Sequence, residues 1–163
     1  MKKIIALTLA LALIGSVAGN AQNPAPKADS ASAKPKTEKA VKQEILSKPS
    51  GVRYQELVVG KGVEAALGSQ VQCHYTLWLG DSTGLVKTGE MLQSSKTNNQ
   101  PFTCTLGQGL INGWSDGMVG MKEGGTRRLF IPWAQGYGAQ GRPPMIPAKT
   151  NLIFEIEYLK AVK

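Results

Sequence analysis

The chain predicts an α+β domain: an antiparallel sheet of about five strands wrapped around one short helix. Three features carry that expectation. Apolar residues alternate at period two through four separate stretches after residue 50, the mark of half-buried strands. A single stretch, residues 110–121, switches to helical spacing. The 19 glycines of the 163 residues favour turns and strands over long helices.

The N-terminus reads as an address. "MKKIIALTLALALIGSVAGNA" runs from two lysines through an apolar stretch to small residues, the order of a secretory signal peptide. Cleavage after Ala21 or Ala18 fits the small-residue rule. The apolar run, Ile4 to Ile14, is about half the roughly twenty residues a spanning helix needs, so no stable membrane anchor is expected. The first cysteine is Cys73, far from the cleavage site, so a lipid anchor there is not expected. The expected location is the periplasm or the exterior.

Residues 22–49 are rich in Lys, Ala, Ser and Pro and contain no aromatic residue. Such a stretch buries too little apolar surface to offset its ordering entropy and reads as a flexible basic linker. Val41 and Ile45 sit four apart, which allows a transient helix over 38–47. The domain itself is expected at 50–163. Net charge is +8, but residues 50–163 hold eleven basic against eight acidic side chains. The largest basic cluster there is Arg127-Arg128, so a nucleic-acid partner is not expected.

Within the domain, "VRYQELVV" alternates and ends in glycine. "SQVQCHYTLWL" puts Val71, Cys73, Tyr75, Leu77 and Leu79 on one face. "QPFTCTLG" does the same for Phe102, Cys104 and Leu106. "TRRLFIP" is a fourth strand. "NLIFEIEYLKAV" places Leu152, Phe154, Ile156 and Tyr158 on one side and Ile153, Glu155, Glu157 and Leu159 on the other. In "LINGWSDGMVGM", Ile111, Trp114, Met118 and Met121 form one apolar stripe. Its three glycines make a poor helix by propensity but would let it lie close on a sheet. "GYGAQGRPPMIP", residues 136–147, is too dense in Gly and Pro for either element, yet it carries Tyr137, Met145 and Ile146.

The blocks "VQCHYTLWL", "PFTCTLGQGLINGW", "GMVGMKEGGTRRLFIP" and "GYGAQGRPPMIPAKTNLIFEIEYL" resemble, in order, those of FKBP-type peptidyl-prolyl cis/trans isomerases. The lead-in "SGVRYQELVVGKG" is similar to the first strand of bacterial members. The likeness covers about residues 50–163. It implies a half-wrapped antiparallel sheet around a short helix, prolyl isomerase activity assisting the folding of exported proteins, and no cofactor or metal. The implied partners are unfolded or proline-containing polypeptides and the macrolide inhibitors of the family. The implied substrate wall is Tyr75, Phe102, Leu110, Ile146 and Phe154, over a floor at Trp114. The Ile111 amide and the Tyr137 hydroxyl are implied to hold substrate carbonyls.

Several positions depart from the family pattern. Phe-Asp-Ser-Ser reads here Leu92-Gln93-Ser94-Ser95, so Leu92 stands for a wall aromatic and Gln93 for the pocket aspartate. A neutral amide still accepts a hydrogen bond but supplies no negative charge. Leu77 stands where glycine is usual, and Arg142 where histidine is frequent. The hairpin over 80–90 is longer than in minimal members. These changes leave a second reading open: a weakly active module that binds proline-containing chains as a chaperone. The tether is short for a helical dimerisation arm, so a monomer is expected.

Cys73 and Cys104 share parity with Tyr75 and Phe102, on strands that the resemblance makes neighbours. One disulfide, natural in an exported protein, and two buried free thiols both fit. His74 has opposite parity and should point away from the pocket. With a single histidine and scattered acids, nothing has metal-ligand spacing.

Overall fold

The computed structural model describes residues 44–162; the expected signal peptide, residues 22–43 of the expected linker and most of the helix considered over 38–47 lie outside them. The described residues form seven strands and one α-helix: β1 (Ile45–Ser47), β2 (Arg53–Val58), β3 (Gln70–Gly80), β4 (Lys87–Ser94), β5 (Phe102–Thr105), α1 (Asn112–Met118), β6 (Thr126–Ile131) and β7 (Leu152–Ala161). All strand pairs are antiparallel, in the order β1-β2-β6-β7-β3-β4, with β5 also on β3.

The sheet has two strands more than alternation predicts. β1 falls inside the stretch whose composition predicts a linker, and at residues 45–47, where the spacing allows a transient helix, the chain is extended. It pairs with β2 through Ile45↔Gln55 and Ser47↔Arg53, and its residues are exposed. Backbone pairing rather than burial therefore holds it, and hydrophobic pattern is blind to that. β4 ("KTGEMLQS") is polar and mostly exposed for the same reason. It is the return arm of the expected hairpin, whose turn is organised by the Asp81 carboxylate. That group accepts from the Thr83 hydroxyl at 2.7 Å and from the Leu85 and Val86 amides at 3.2 Å.

β3 and β7 set the inner face. Tyr75↔Ile156, Leu77↔Phe154 and Leu79↔Leu152 are direct partners, and β6 adds Leu129↔Phe154 and Ile131↔Leu152. Leu152, Phe154, Ile156 and Tyr158 are all buried, as their common parity predicts. The outer face is mostly polar. Arg128 and Glu155, cross-strand partners, form an ion pair at 2.8 Å. Lys87 reaches the same carboxylate at 2.7 Å and lies 3.4 Å over the Trp78 ring. Burial pushes the Glu155 pKa up, but the bonds to Lys87 and Arg128 outweigh it and hold the carboxyl below its ordinary value.

The helix is shorter than its stripe, with Ile111 at its N-cap and Met121 beyond its end, although Met118 and Met121 are both buried. Its glycines explain its seat. A Cβ on Gly113 would lie 2.3 Å from Ile131 Cγ2, and one on Gly117 2.4 Å from Leu129 Cδ1, so only glycine allows this approach to β6. Neither end has a side-chain cap of its own. The C-terminal carbonyls are satisfied from outside instead. Arg127, 4% exposed, donates to Gly117 O at 2.7 Å and Val119 O at 3.3 Å while pairing with Glu56. Lys48, from the β1–β2 turn, donates to Asp116 O and to Val119 O. Cations at the C-terminal end also suit the helix dipole. The two basic residues thus fix the element that carries Trp114.

Candidate functional site

Trp114 lies on the helix face that meets the sheet, 4% exposed. Three rings stand edge-on to it: Phe154 of β7 at 4.8 Å, Tyr75 of β3 at 5.2 Å and Phe102 of β5 at 6.1 Å between centroids, each tilted 78–79°. Edge-to-face packing sets ring edges against the faces of their neighbours. Phe102 and Tyr75 are themselves T-shaped at 5.7 Å. Phe102 is 37% exposed, so the ring cluster opens to solvent on that side.

The opening is a cavity of about 290 Å³. It is lined by the four rings Trp114, Phe154, Tyr75 and Phe102, by Leu77, Gly109, Leu110 and Ile111, and by the polar tips of Gln93, Tyr137 and Arg142. Among the described residues, the Ile111 amide and the Tyr137 hydroxyl have no hydrogen-bond partner within the protein. Burial, reinforced by the neighbouring Tyr137, raises the Tyr75 pKa above its ordinary value, so its hydroxyl stays neutral. The Trp114 Nε1–H is buried without a partner.

A depression of about 370 Å³ that includes Asp116 touches this cavity only through Leu110, and two more share several walls with it. One, of about 160 Å³, shares Leu77, Gln93, Tyr137 and Arg142 with it and adds Leu92, Pro143, Met145 and Ile146. The other, of about 270 Å³, shares Tyr75, Gln93 and Phe102 and adds Ser94, Ser95, Asn98, Gln100 and Pro101.

The loop that brings Tyr137 and Arg142 to the rim is held by its own backbone. Gly138 N donates to Trp133 O at 2.8 Å, and Arg142 and Ile146 exchange amide bonds at 2.8 and 3.0 Å. Gly141 sits at φ +68°, where a Cβ would meet Ile146 O at 2.4 Å. A side chain there would be strained twice, by conformation and by contact. The Pro143–Pro144 bond is cis. The density of Gly and Pro thus gives a compact rim, with Ile146 turned into the core.

The structure brings Tyr75, Phe102, Leu110, Ile111, Trp114, Tyr137, Phe154 and Gln93 to one cavity. It does not place Leu92 and Ile146 there. Both line the adjoining depression, and Ile146 is buried. Leu77 and Arg142, which depart from the family pattern, line the central cavity as well. The signal for Leu77 was present, since it shares parity with Tyr75. Arg142 had none beyond its place in the loop.

Cys73 and Cys104 are free buried thiols here, so the candidate disulfide is not formed. Cys73 stands opposite Phe102 and Cys104 opposite Val71, a diagonal rather than a direct pair. A hydrogen bond with the Cys104 sulfur, and burial, hold the Cys73 thiol well above its ordinary pKa. His74 points away from the cavity, with Nδ1 2.9 Å from Ser95 Oγ. Among the described residues no group of three His, Cys, Asp or Glu could hold a metal, and no helix is long and apolar enough to cross a membrane.

Comparison with known proteins places this geometry. The family of FKBP-type peptidyl-prolyl cis-trans isomerases matches residues 61–159. The chain is similar to an FK506-binding protein of Neisseria meningitidis serogroup B, 45% identical over 111 residues, which are 68% of this chain and 95% of that protein. It is also similar to the human peptidyl-prolyl cis-trans isomerase FKBP2, 41% identical over 99 residues, covering 60% of this chain and 65% of that one. Among solved structures, FkpA from Escherichia coli superimposes with a TM-score of 0.63 at 30% identity, covering 76% of this chain and 52% of that one, about half its length. AtFKBP13 gives the same TM-score at 33% identity, covering 73% of this chain and 99% of that one.

Proposed function

The chain belongs to the FKBP-type peptidyl-prolyl cis-trans isomerase family and is a prolyl isomerase, and from that premise we propose how its cavity works and where. The observation that carries the reading is the apolar opening over Trp114, walled by Tyr75, Phe102 and Phe154 and flanked by two donors without partners.

Rotation about a peptide bond costs about 18–20 kcal/mol because amide resonance is lost. An Xaa-Pro bond populates both isomers, yet exchanges in tens of seconds or longer. The reaction needs no nucleophile and no proton transfer. The planar amide is more dipolar than the twisted one, so an apolar enclosure disfavours the ground state relative to the transition state. In this reading the pyrrolidine ring sits on Trp114 between Tyr75, Phe102 and Phe154. The Ile111 amide and Tyr137 hydroxyl hold the flanking carbonyls and so position the bond that turns. Lowering the barrier by about 5 kcal/mol gives several thousandfold in rate.

The N-terminal address and basic linker support a role outside the cytoplasm, in the periplasm or beyond, with newly exported chains as substrates. The names of the Neisseria relatives support a macrolide of the FK506 type as an occupant of the same cavity. Gln93, exposed on the rim, with a side-chain amide that has no hydrogen-bond partner among the described residues and supplies no negative charge, favours the second reading, a slow isomerase that chiefly binds.

The test is cis/trans exchange of a short Leu-Pro peptide, followed by exchange NMR. Micromolar protein should speed the exchange, and FK506 should suppress it. Binding without any acceleration would leave only the chaperone reading.

A further inference from the structure

The central cavity and its two neighbours share walls, so together they make a groove longer than a proline ring. Charge is distributed unevenly along it. Arg142 is the one charged side chain among the residues lining the three depressions. The end beyond Phe102 offers neutral hydroxyls and amides, Ser94, Ser95, Asn98 and Gln100. The depression lined by Leu92, Pro143, Met145 and Ile146 combines apolar side chains with the guanidinium.

Arg142 is exposed and makes no ion pair among the described residues. Its side chain lies over the Tyr137 ring, 5.9 Å from the centroid. Its backbone is clamped to Ile146 in both directions, so the base of the side chain has a fixed position on the rim. The guanidinium thus stands at the rim beside the Tyr137 ring with no carboxylate of the described residues on it. A chain lying in the groove would cover it partly and supply the missing partner.

We propose that Arg142 makes this isomerase select proline segments with an acidic side chain either two residues before the proline or directly after it, whichever the groove brings to Arg142. The proposal rests on the isomerase reading of the central cavity and adds the substrate class. A guanidinium binds a carboxylate through two parallel N–H···O bonds. It repels a lysine at the same place. Pairs this exposed contribute modestly, so the expected preference is about two- to fivefold and shrinks with added salt.

The test uses the full chain and peptides built on Leu-Pro. Glu, Gln or Lys is placed two residues before the proline or directly after it, one position at a time. Rates come from exchange NMR, which needs no coupling protease. At one of the two positions, kcat/KM should rise from Lys to Gln to Glu, with Glu about two- to fivefold above Gln. The spread should close in Arg142→Gln and reverse in Arg142→Glu; the other position should show none. Equal rates for all peptides, or a spread that persists in Arg142→Gln, would overturn the proposal and leave the isomerase standing. No turnover of any peptide would instead sink the isomerase reading. In that case the order of Kd values for the same peptides, from tryptophan fluorescence, decides the charge preference by the same criteria.

Discussion

The floor and the rim of the cavity are built by different rules. Trp114 and Phe154 lie buried where the sheet and helix turn their apolar faces, with Tyr75 half-buried against them, so folding itself requires these rings. Gln93, Phe102 and Arg142 are exposed, and the core does not depend on them. Tyr137 is intermediate, packed on the core while its hydroxyl remains without a partner in the protein. The floor therefore couples activity to stability, whereas the rim can change substrate and rate with little effect on folding.

Trp114→Ala should break the floor most severely. Truncating a buried tryptophan costs about 3–5 kcal/mol, and kcat/KM should collapse with it. Urea denaturation checks the first effect; a variant that lost activity at unchanged stability would separate what we join. Gly117→Val attacks the same floor from behind. The new side chain would collide with Leu129 and lift the helix, costing about 1–3 kcal/mol as overpacking does. A crystal structure with Trp114 unmoved would contradict that account.

At the rim the balance should invert. Tyr137→Phe removes one hydroxyl whose only proposed partner is substrate. It should lower kcat/KM by about three- to tenfold, the worth of one hydrogen bond, and leave the thermal midpoint unchanged. A loss of stability equal to the loss in rate would place Tyr137 with the floor. Gln93→Asp should raise the rate on a neutral peptide by about two- to fivefold if the missing charge limits catalysis. An unchanged or lower rate would mean that another group compensates. The smallest expected effect is none: with no proton transfer, kcat/KM should stay flat over about pH 6–9. Tyr75 remains neutral there because burial raises its pKa. A bell-shaped profile would introduce an acid or base that the mechanism lacks.

The floor was legible in the sequence for the reason that makes it costly to change. Tyr75 and Phe154 fall at period two and Trp114 on a helical stripe, so burial leaves a periodic trace. Leu77 carried that trace too. Leu92 illustrates the limit. In β4 no residue is buried, and pairing with β3 shifts register between Leu77 and Leu79. A count of alternation across such an irregularity does not say which of Leu92 and Gln93 faces the central cavity. β1 escaped notice because pairing of main-chain groups has no side-chain signature.

By itself, then, the sequence determined the fold class, the inward faces of β3 and β7, the aromatic set and the close seat of a glycine-rich helix. All of these follow from short-range periodicity and residue size. Only the tertiary structure decided that Arg127 of β6 and Lys48 of the β1–β2 turn cap that helix, and that Leu92 and Ile146 belong to a neighbouring depression. It alone placed Arg142, without a carboxylate partner among the described residues, beside Tyr137 and among depressions whose lining holds no other charged side chain. Those relations join residues far apart in the chain, and they depend on register and loop path, which no local pattern records.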